Sequence, residues 1–210
     1  MNDDLELLKA WRDGDRVAGN ELLARHFDSL HRFFASKLAE DVEDLIQNTL
    51  LATVKYIDTV ARASSFKAYL FTIASNQLYA HLRSRLRDGK YIDFTVASAV
   101  ELGLTASEVV AKHEREQQLS LALRRLPLEL QIVLELGYWE ELSAREIAAV
   151  LEVPTGTAKS KIRRAKQLLA TELDAIGSHR ERAGDPRSSS TTATDELDEW
   201  VRQIRASLVD

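Results

Sequence analysis

Apolar residues recur every three or four positions along most of this chain, and little interrupts the period. Leu5, Leu8 and Trp11 keep helical spacing. So do Leu22, Leu23, Phe27, Leu30, Phe33 and Phe34, and after them Val42, Leu45, Ile46, Thr49, Leu50 and Val54. Each such stripe places one helix face against a core. The 210 residues contain only three prolines and eight glycines, so few positions break a helix. The fold class predicted is all-α: two small helical domains, an N-terminal bundle and a C-terminal helix-turn-helix domain, joined by a linker, with a tethered C-terminal helix.

The breaks that do occur set the plan. Two helices are predicted within 3–38, parted by "RDGD" at 12–15, then a third over 39–57 with acids crowding its start, where a helix N-terminus favours them. "DTVARASS" (58–65) reads as a loop, and 66–88 as a fourth helix, apolar early and basic late. Periodicity fades over 89–107. Tyr91, Ile92 and Phe94 there are costly to leave in water, which predicts a linker held in contact. Helices follow over 108–125, over 128–138 behind Pro127, over 143–151 and over about 155–174. "GSHRERAGDPRSSSTTAT" (177–194) has the composition of a flexible tether. Period returns over 195–210, where Leu197, Trp200, Val201, Ile204 and Leu208 share a face and Asp195 stands ready to cap. The domains expected are 1–89, a linker 90–112, 113–176, a tether 177–194 and a tail helix 195–210.

Absences narrow the chemistry. Without cysteine there is no disulfide, thiolate metal site or Cys nucleophile. No glycine-rich phosphate loop or zincin motif occurs, and the five histidines are scattered. Neither a signal peptide nor a run of about 20 apolar residues is visible. The expectation is a cytoplasmic non-enzyme with no cofactor, no metal, no small-molecule substrate and no membrane insertion.

Charge then points to a partner. The net charge is −5, yet "VPTGTAKSKIRRAKQLL" (153–169) holds five basic residues and no acid. Upstream, Ser143 and Glu146 form a capping-box pattern ahead of "AREIAAVL". Ala158, Ile162, Ala165 and Leu169 make a buried stripe, which leaves Lys159, Ser160, Arg163, Arg164 and Lys166 largely outside it. A short helix, a tight turn and a second helix with a basic outer face is a helix-turn-helix, whose second helix enters the major groove of DNA. Residues 123–176 carry eight basic and eight acidic residues, so the charge is segregated rather than in excess. In the N-terminal half, Phe66, Tyr69, Phe71, Asn76 and Gln77 precede Arg83, Arg85, Arg87 and Lys90. Rings, amides and a basic strip can receive unstacked bases and their backbone, although aromatics at helical spacing are more often core.

Together "DVEDLIQNTLLATV", "SFKAYLFTIASNQLYAHLR" and the stretch from "RRLPLELQ" to "KQLL" resemble, in that order, the extracytoplasmic-function (ECF) sigma factors of bacterial RNA polymerase. The resemblance spans about residues 3–175. It implies that Asp41, Glu43, Asp44, Gln47 and Asn48 dock on core polymerase. It implies that Phe66, Lys67, Tyr69 and Asn76, with loop 58–65, melt the minus-ten promoter element, and that Arg83, Arg85 and Arg87 take its phosphates. Lys159, Ser160, Arg163 and Arg164 would read the minus-thirty-five element, with Arg145 and Lys161 on phosphate. The implied partners are core RNA polymerase and promoter DNA, with an anti-sigma factor or the chain's own tail as candidate regulators. A dimeric helix-turn-helix regulator that never meets polymerase is the alternative. Glu152 stands where the family usually has a turn glycine. A positive φ there would strain it by about 1 kcal/mol.

Overall fold

The computed structural model of the chain describes residues 3–57, 65–85, 93–104, 114–182 and 201. Nine helices and no strand occur among them. α1 (Asp4–Arg12), α2 (Arg16–Arg25), α3 (Phe27–Ala35), α4 (Val42–Lys55) and α5 (Phe66–Arg85) form the N-terminal half. α6 (Glu114–Arg125), α7 (Leu128–Tyr138), α8 (Ala144–Val150) and α9 (Thr155–Arg182) form the C-terminal half.

Local chemistry explains where these helices start and stop. Asp3 caps α1 through Asp4 N–H, and Asp15 caps α2 through the N–H groups of Val17 and Ala18. Between them Gly14 takes φ +105°, with Gly14 N–H donating to Trp11 O and Asp15 N–H to Ala10 O. That is a Schellman end, and its last residue is already the next N-cap. Gly19 is needed for contact. A Cβ there would lie 2.7 Å from the Trp11 ring, which rests on α2 at this point.

The long stripe from Leu22 to Phe34 is two helices rather than the one expected. His26 breaks it at φ −100°, ψ 2°. Its buried ring donates from Nε2 to Asp4 Oδ2 at 2.7 Å. The third predicted helix also begins later, at Val42, because Asp41 is in the left-handed region with φ 64°. On α1 the buried pair is Leu7 and Leu8, while Leu5 is 63% exposed. On α4 Thr53 takes the inner position expected for Val54. Its hydroxyl donates to Thr49 O, as Thr49 Oγ1 does to Leu45 O, so both enter the core with their polar atoms paired.

Residues 93–104 are turns that join the two halves. Phe94 is buried and stacks on Tyr79 of α5 at 4.9 Å. The same segment closes the start of α7. Pro127 sits at the N-cap, outside the helix proper, and offers no side-chain cap. Leu128 N–H donates instead to Ala97 O, and Glu129 N–H to Phe94 O. Orphan first-turn donors thus find carbonyls from the linker. This agrees with the expectation that the linker is in contact. The loop 58–64, Tyr91, Ile92 and the predicted start of α6 before 114 lie outside the described residues.

The two halves pack against each other. α8 lies on α5, and a cluster of ion pairs joins α3 and α5 to α7 and the turn after it. Arg32 reaches Glu140 Oε1 at 2.7 Å, Lys67 donates to Glu140 O at 3.0 Å, and Lys37 pairs with Glu135.

Candidate polymerase and nucleic-acid interfaces

Three surfaces carry the residues singled out from the sequence. The first is the start of α4. Asp41, Glu43, Asp44, Gln47 and Asn48 are all exposed there. Asp41 faces Arg85 and His81, each at 3.6 Å, and Arg85 also reaches Glu40 at 3.1 Å. Beside the acids Phe27, Ile46, Leu50, Leu51 and Val54 line a shallow apolar groove, where Leu51 is 60% exposed. The sequence reading missed this groove. Leu51, off the inward stripe on a helix whose inner face is already full, was the available signal.

The second surface is α5. Asn76, Arg83 and Arg85 are exposed, and Lys67 and Tyr69 are half-buried. Tyr69 OH donates to Tyr56 O at 2.9 Å. Arg83 stands over the Tyr79 and Phe94 rings at 6.0 and 5.5 Å. Burial holds the Tyr79 hydroxyl well above the usual tyrosine range, with Glu129 adding to the effect, so it stays protonated. Phe66 corrects the sequence reading. It is only 2% exposed, 5.4 Å from the His26 ring, and belongs to the core rather than to a surface that could take a base. The first turn of α5 points this ring inward, leaving Lys67 and Tyr69 at the edge. Arg87 lies outside the described residues.

The third surface is built by α8 and α9. The capping box is complete: Ser143 Oγ accepts from Glu146 N–H, and the Glu146 carboxylate accepts from Ser143 N–H at 2.9 Å. Burial would raise the Glu146 pKa. The bonds from the Ser143 and Ser65 hydroxyls and from Ser143 N–H outweigh it and hold it below the usual range. α8 ends in a Schellman arrangement, Glu152 N–H to Ala149 O and Val153 N–H to Ala148 O, with Glu152 at φ 54°. The turn therefore does require the left-handed conformation. Asp41 and Glu141, the latter at φ 57° in the turn after α7, are the other non-glycine residues in this region among those described.

Ala148 and Ala158 are both buried, so the two helices approach closely. Ala158, Ala165 and Leu169 are fully buried and Ile162 half-buried. Lys159, Ser160, Arg163, Arg164 and Arg145 are exposed. Lys161 is held by Glu129 at 2.7 Å, and Lys166 lies 5.5 Å over the Tyr138 ring. α9 thus presents its basic outer face from a turn closed by two backbone bonds at the end of α8.

Comparison with known proteins decides between the two readings of this geometry. Residues 22–88 match the model of Sigma-70 region 2, and residues 116–169 match that of Sigma-70, region 4. The chain belongs to the sigma-70 family. Within it, the chain resembles the ECF RNA polymerase sigma factor SigW of Bacillus subtilis, at 25% identity over 79% of this chain and 94% of that one. The ECF RNA polymerase sigma-E factor of Escherichia coli K12 is 25% identical over 82% of this chain and 95% of its own. Among solved structures, the sigma factor RpoE of Bartonella quintana, in complex with the anti-sigma factor NepR, superposes with a TM-score of 0.56 at 26% identity. That match covers 74% of this chain and 96% of the other. CnrH, in complex with the cytosolic domain of CnrY, superposes with a TM-score of 0.58 at 26% identity over 82% and 97%. This is an RNA polymerase sigma factor of the ECF type. A duplex-only regulator would not need the sigma-70 region 2 match that overlies the acidic α4 and the long α5.

No helix among the described residues is long and apolar enough to cross a membrane. No group of three or more His, Asp or Glu is placed among them to hold a metal.

Proposed function

We propose that this sigma factor works entirely by binding, in the cytoplasm and without chemistry of its own, and that its three surfaces divide the task. Asp41, Glu43, Asp44, Gln47 and Asn48 dock on core RNA polymerase, with the apolar groove of Leu51 and Val54 alongside. Lys67, Tyr69 and Asn76 engage the minus-ten element as it opens, and Arg83, Arg85 and Arg87 follow its backbone. Lys159, Ser160, Arg163 and Arg164 read the minus-thirty-five duplex, with Arg145 on phosphate. Lys161 joins Arg145 only after releasing Glu129. The division follows the chemistry of the targets. A duplex is read by a helix in its groove, and single strands by stacking and amide contacts.

The observation that carries the reading is the first half of α9. Its apolar stripe is buried while Lys159, Ser160, Arg163 and Arg164 are all left to solvent. Replacing Lys159 or Arg163 by alanine is expected to weaken binding to promoter duplex by about 1–3 kcal/mol where a base contact is lost. Equal loss on every DNA sequence would reduce the residue to a phosphate contact. On the polymerase side, Asp44→Ala is expected to abolish co-purification with core enzyme without loss of helicity.

The tail is proposed as a regulatory element. Val201, the one described residue of 195–210, is helical and fully buried, so this part of the tail meets protein rather than water. Leu197, Trp200, Ile204 and Leu208 lie outside the described residues. A lone helix of this length is marginal in water, which favours docking. An anti-sigma partner is the second candidate regulator, since RpoE of Bartonella quintana is found with one. Removal of 178–210 is expected to change run-off transcription. Unchanged output and unchanged partner binding would end the regulatory reading of the tail.

A further inference from the structure

α7 holds both edges of the basic face of α9. Lys161 comes three residues after Ala158 and four before Ala165, so it borders the buried stripe and does not stand at the middle of the exposed face. Lys166 borders the stripe on the other side and lies 5.5 Å over the Tyr138 ring, in the last turn of α7. At the opposite end of α7, Glu129 Oε2 accepts from Lys161 Nζ at 2.7 Å, and the two side chains are only 13% and 22% exposed. Glu129 is itself well seated. Its N–H donates to Phe94 O at 3.1 Å, and an acid in a helix's first turn meets the positive end of the helix dipole. Asp93 stands near the same ammonium. The Thr95 hydroxyl and N–H hold its carboxyl below the usual range, and the charge of Lys161 adds to the effect.

The placement of charge decides what such a lysine does on DNA. Binding to arbitrary duplex is almost wholly phosphate neutralisation with release of counterions, and each neutralised phosphate steepens the salt dependence by about 0.9 in log–log slope. Sequence is carried by base edges, not by phosphates. A free cation at the edge of the recognition face would therefore raise affinity for every duplex alike. Paired with Glu129, Lys161 adds no net charge. A phosphate has to displace a carboxylate already 2.7 Å away to win it.

We propose that Glu129 is a specificity-determining residue for duplex recognition: its carboxylate withholds Lys161 from phosphate and so lowers the affinity of α9 for DNA at large. The inference rests on the reading of α9 as the duplex-binding helix, and gives an acid on the neighbouring helix a part in it. Arbitrary DNA is then held by the exposed Lys159, Arg163, Arg164 and Arg145.

The test uses the full-length chain and a random-sequence duplex, with affinity read by fluorescence anisotropy against salt. Glu129→Gln, close in shape and uncharged, is expected to steepen the log–log slope by about 0.9. Its gain over wild type is then about 3.5-fold larger at about 50 mM salt than at about 200 mM. Adding Lys161→Gln is expected to return the slope to the wild-type value, because the released cation is gone. An unchanged slope with Glu129→Gln would overturn the proposal. So would a steepening that survives Lys161→Gln, since Glu129 would then repel DNA by itself. If Glu129→Gln loses helicity by circular dichroism, Glu129→Asp decides. It keeps an acid at the start of α7 but is one methylene too short for the 2.7 Å contact, so its slope is also expected to steepen, and a wild-type slope would overturn the proposal. Arg145→Ala with Arg164→Ala separates the proposal from the reading beneath it. A flatter slope there with no effect of Glu129→Gln removes the proposal alone, whereas unchanged binding there removes the duplex reading of α8 and α9 as well.

Discussion

Gly19 shows how one residue fixes the contact between two helices. Its missing Cβ lets the Trp11 ring lie flat on α2, and a methyl group would sit 2.7 Å from three ring atoms. Gly19→Ala is expected to cost about 1–3 kcal/mol, measured by urea denaturation, because the large ring has to leave its seat. His26 acts through charge. Burial holds its pKa below the ordinary 6.5, against the pull of Asp4, so the folded protein keeps the ring neutral at pH 7. Asp4 is itself held low. Burial would raise it, but His26 and Arg25 outweigh that. Both depressions have the same sign. The unfolded chain binds more protons than the folded one below pH 6.5, so stability falls as pH drops from there through the carboxylate range. The melting temperature is expected to fall between pH 7 and 5, and His26→Gln is expected to flatten that slope. A melting temperature that rises toward pH 5 would contradict the burial argument.

At the scale of elements, the ends of helices matter as much as their faces. The Ser143–Glu146 box fixes the start of α8, and the Glu152 turn fixes the start of α9. Ser143→Ala is expected to lower stability by about 1 kcal/mol, seen in thermal or denaturant melts. It would also loosen promoter duplex binding by fraying the start of α8, the helix that α9 packs against. Most of these elements were legible in the sequence. α7 runs from Leu128 to Tyr138 as its spacing predicted, and the 158–169 stripe is the buried one. The misses have physical causes. The helical period runs unbroken through Leu22 to Phe34, so the break at His26 left no mark in spacing. It comes from the ring's bond to Asp4, 22 residues away. Thr53 replaces Val54 inside because a threonine hydroxyl can bond its own helix's carbonyl, which a polarity pattern does not register. Phe66 was given a surface role because a motif marks which residues cluster but not which way a ring turns. Glu152 was marked as a position where a positive φ would be strained, whereas nothing in the sequence marked Asp41 or Glu141, which adopt one too.

Over the whole molecule, what sequence could not supply was the relation between the halves. The pairs that join them are separated by 98 residues for Lys37 and Glu135 and by 108 for Arg32 and Glu140. No periodicity links such positions, and each residue alone resembles an ordinary surface charge. The three surfaces were legible because each is local: acids on one helix start, a basic strip on one helix end, a basic outer face on another. If the three surfaces serve a single event on core polymerase, they should all register in one assay. Run-off transcription with core RNA polymerase across a promoter library tests this most directly. Transcripts are expected from a restricted set of promoters sharing minus-thirty-five and minus-ten elements, lost with Asp44→Ala and weakened with Arg163→Ala. Transcription that is absent for the intact chain, or indifferent to both substitutions, would contradict that expectation.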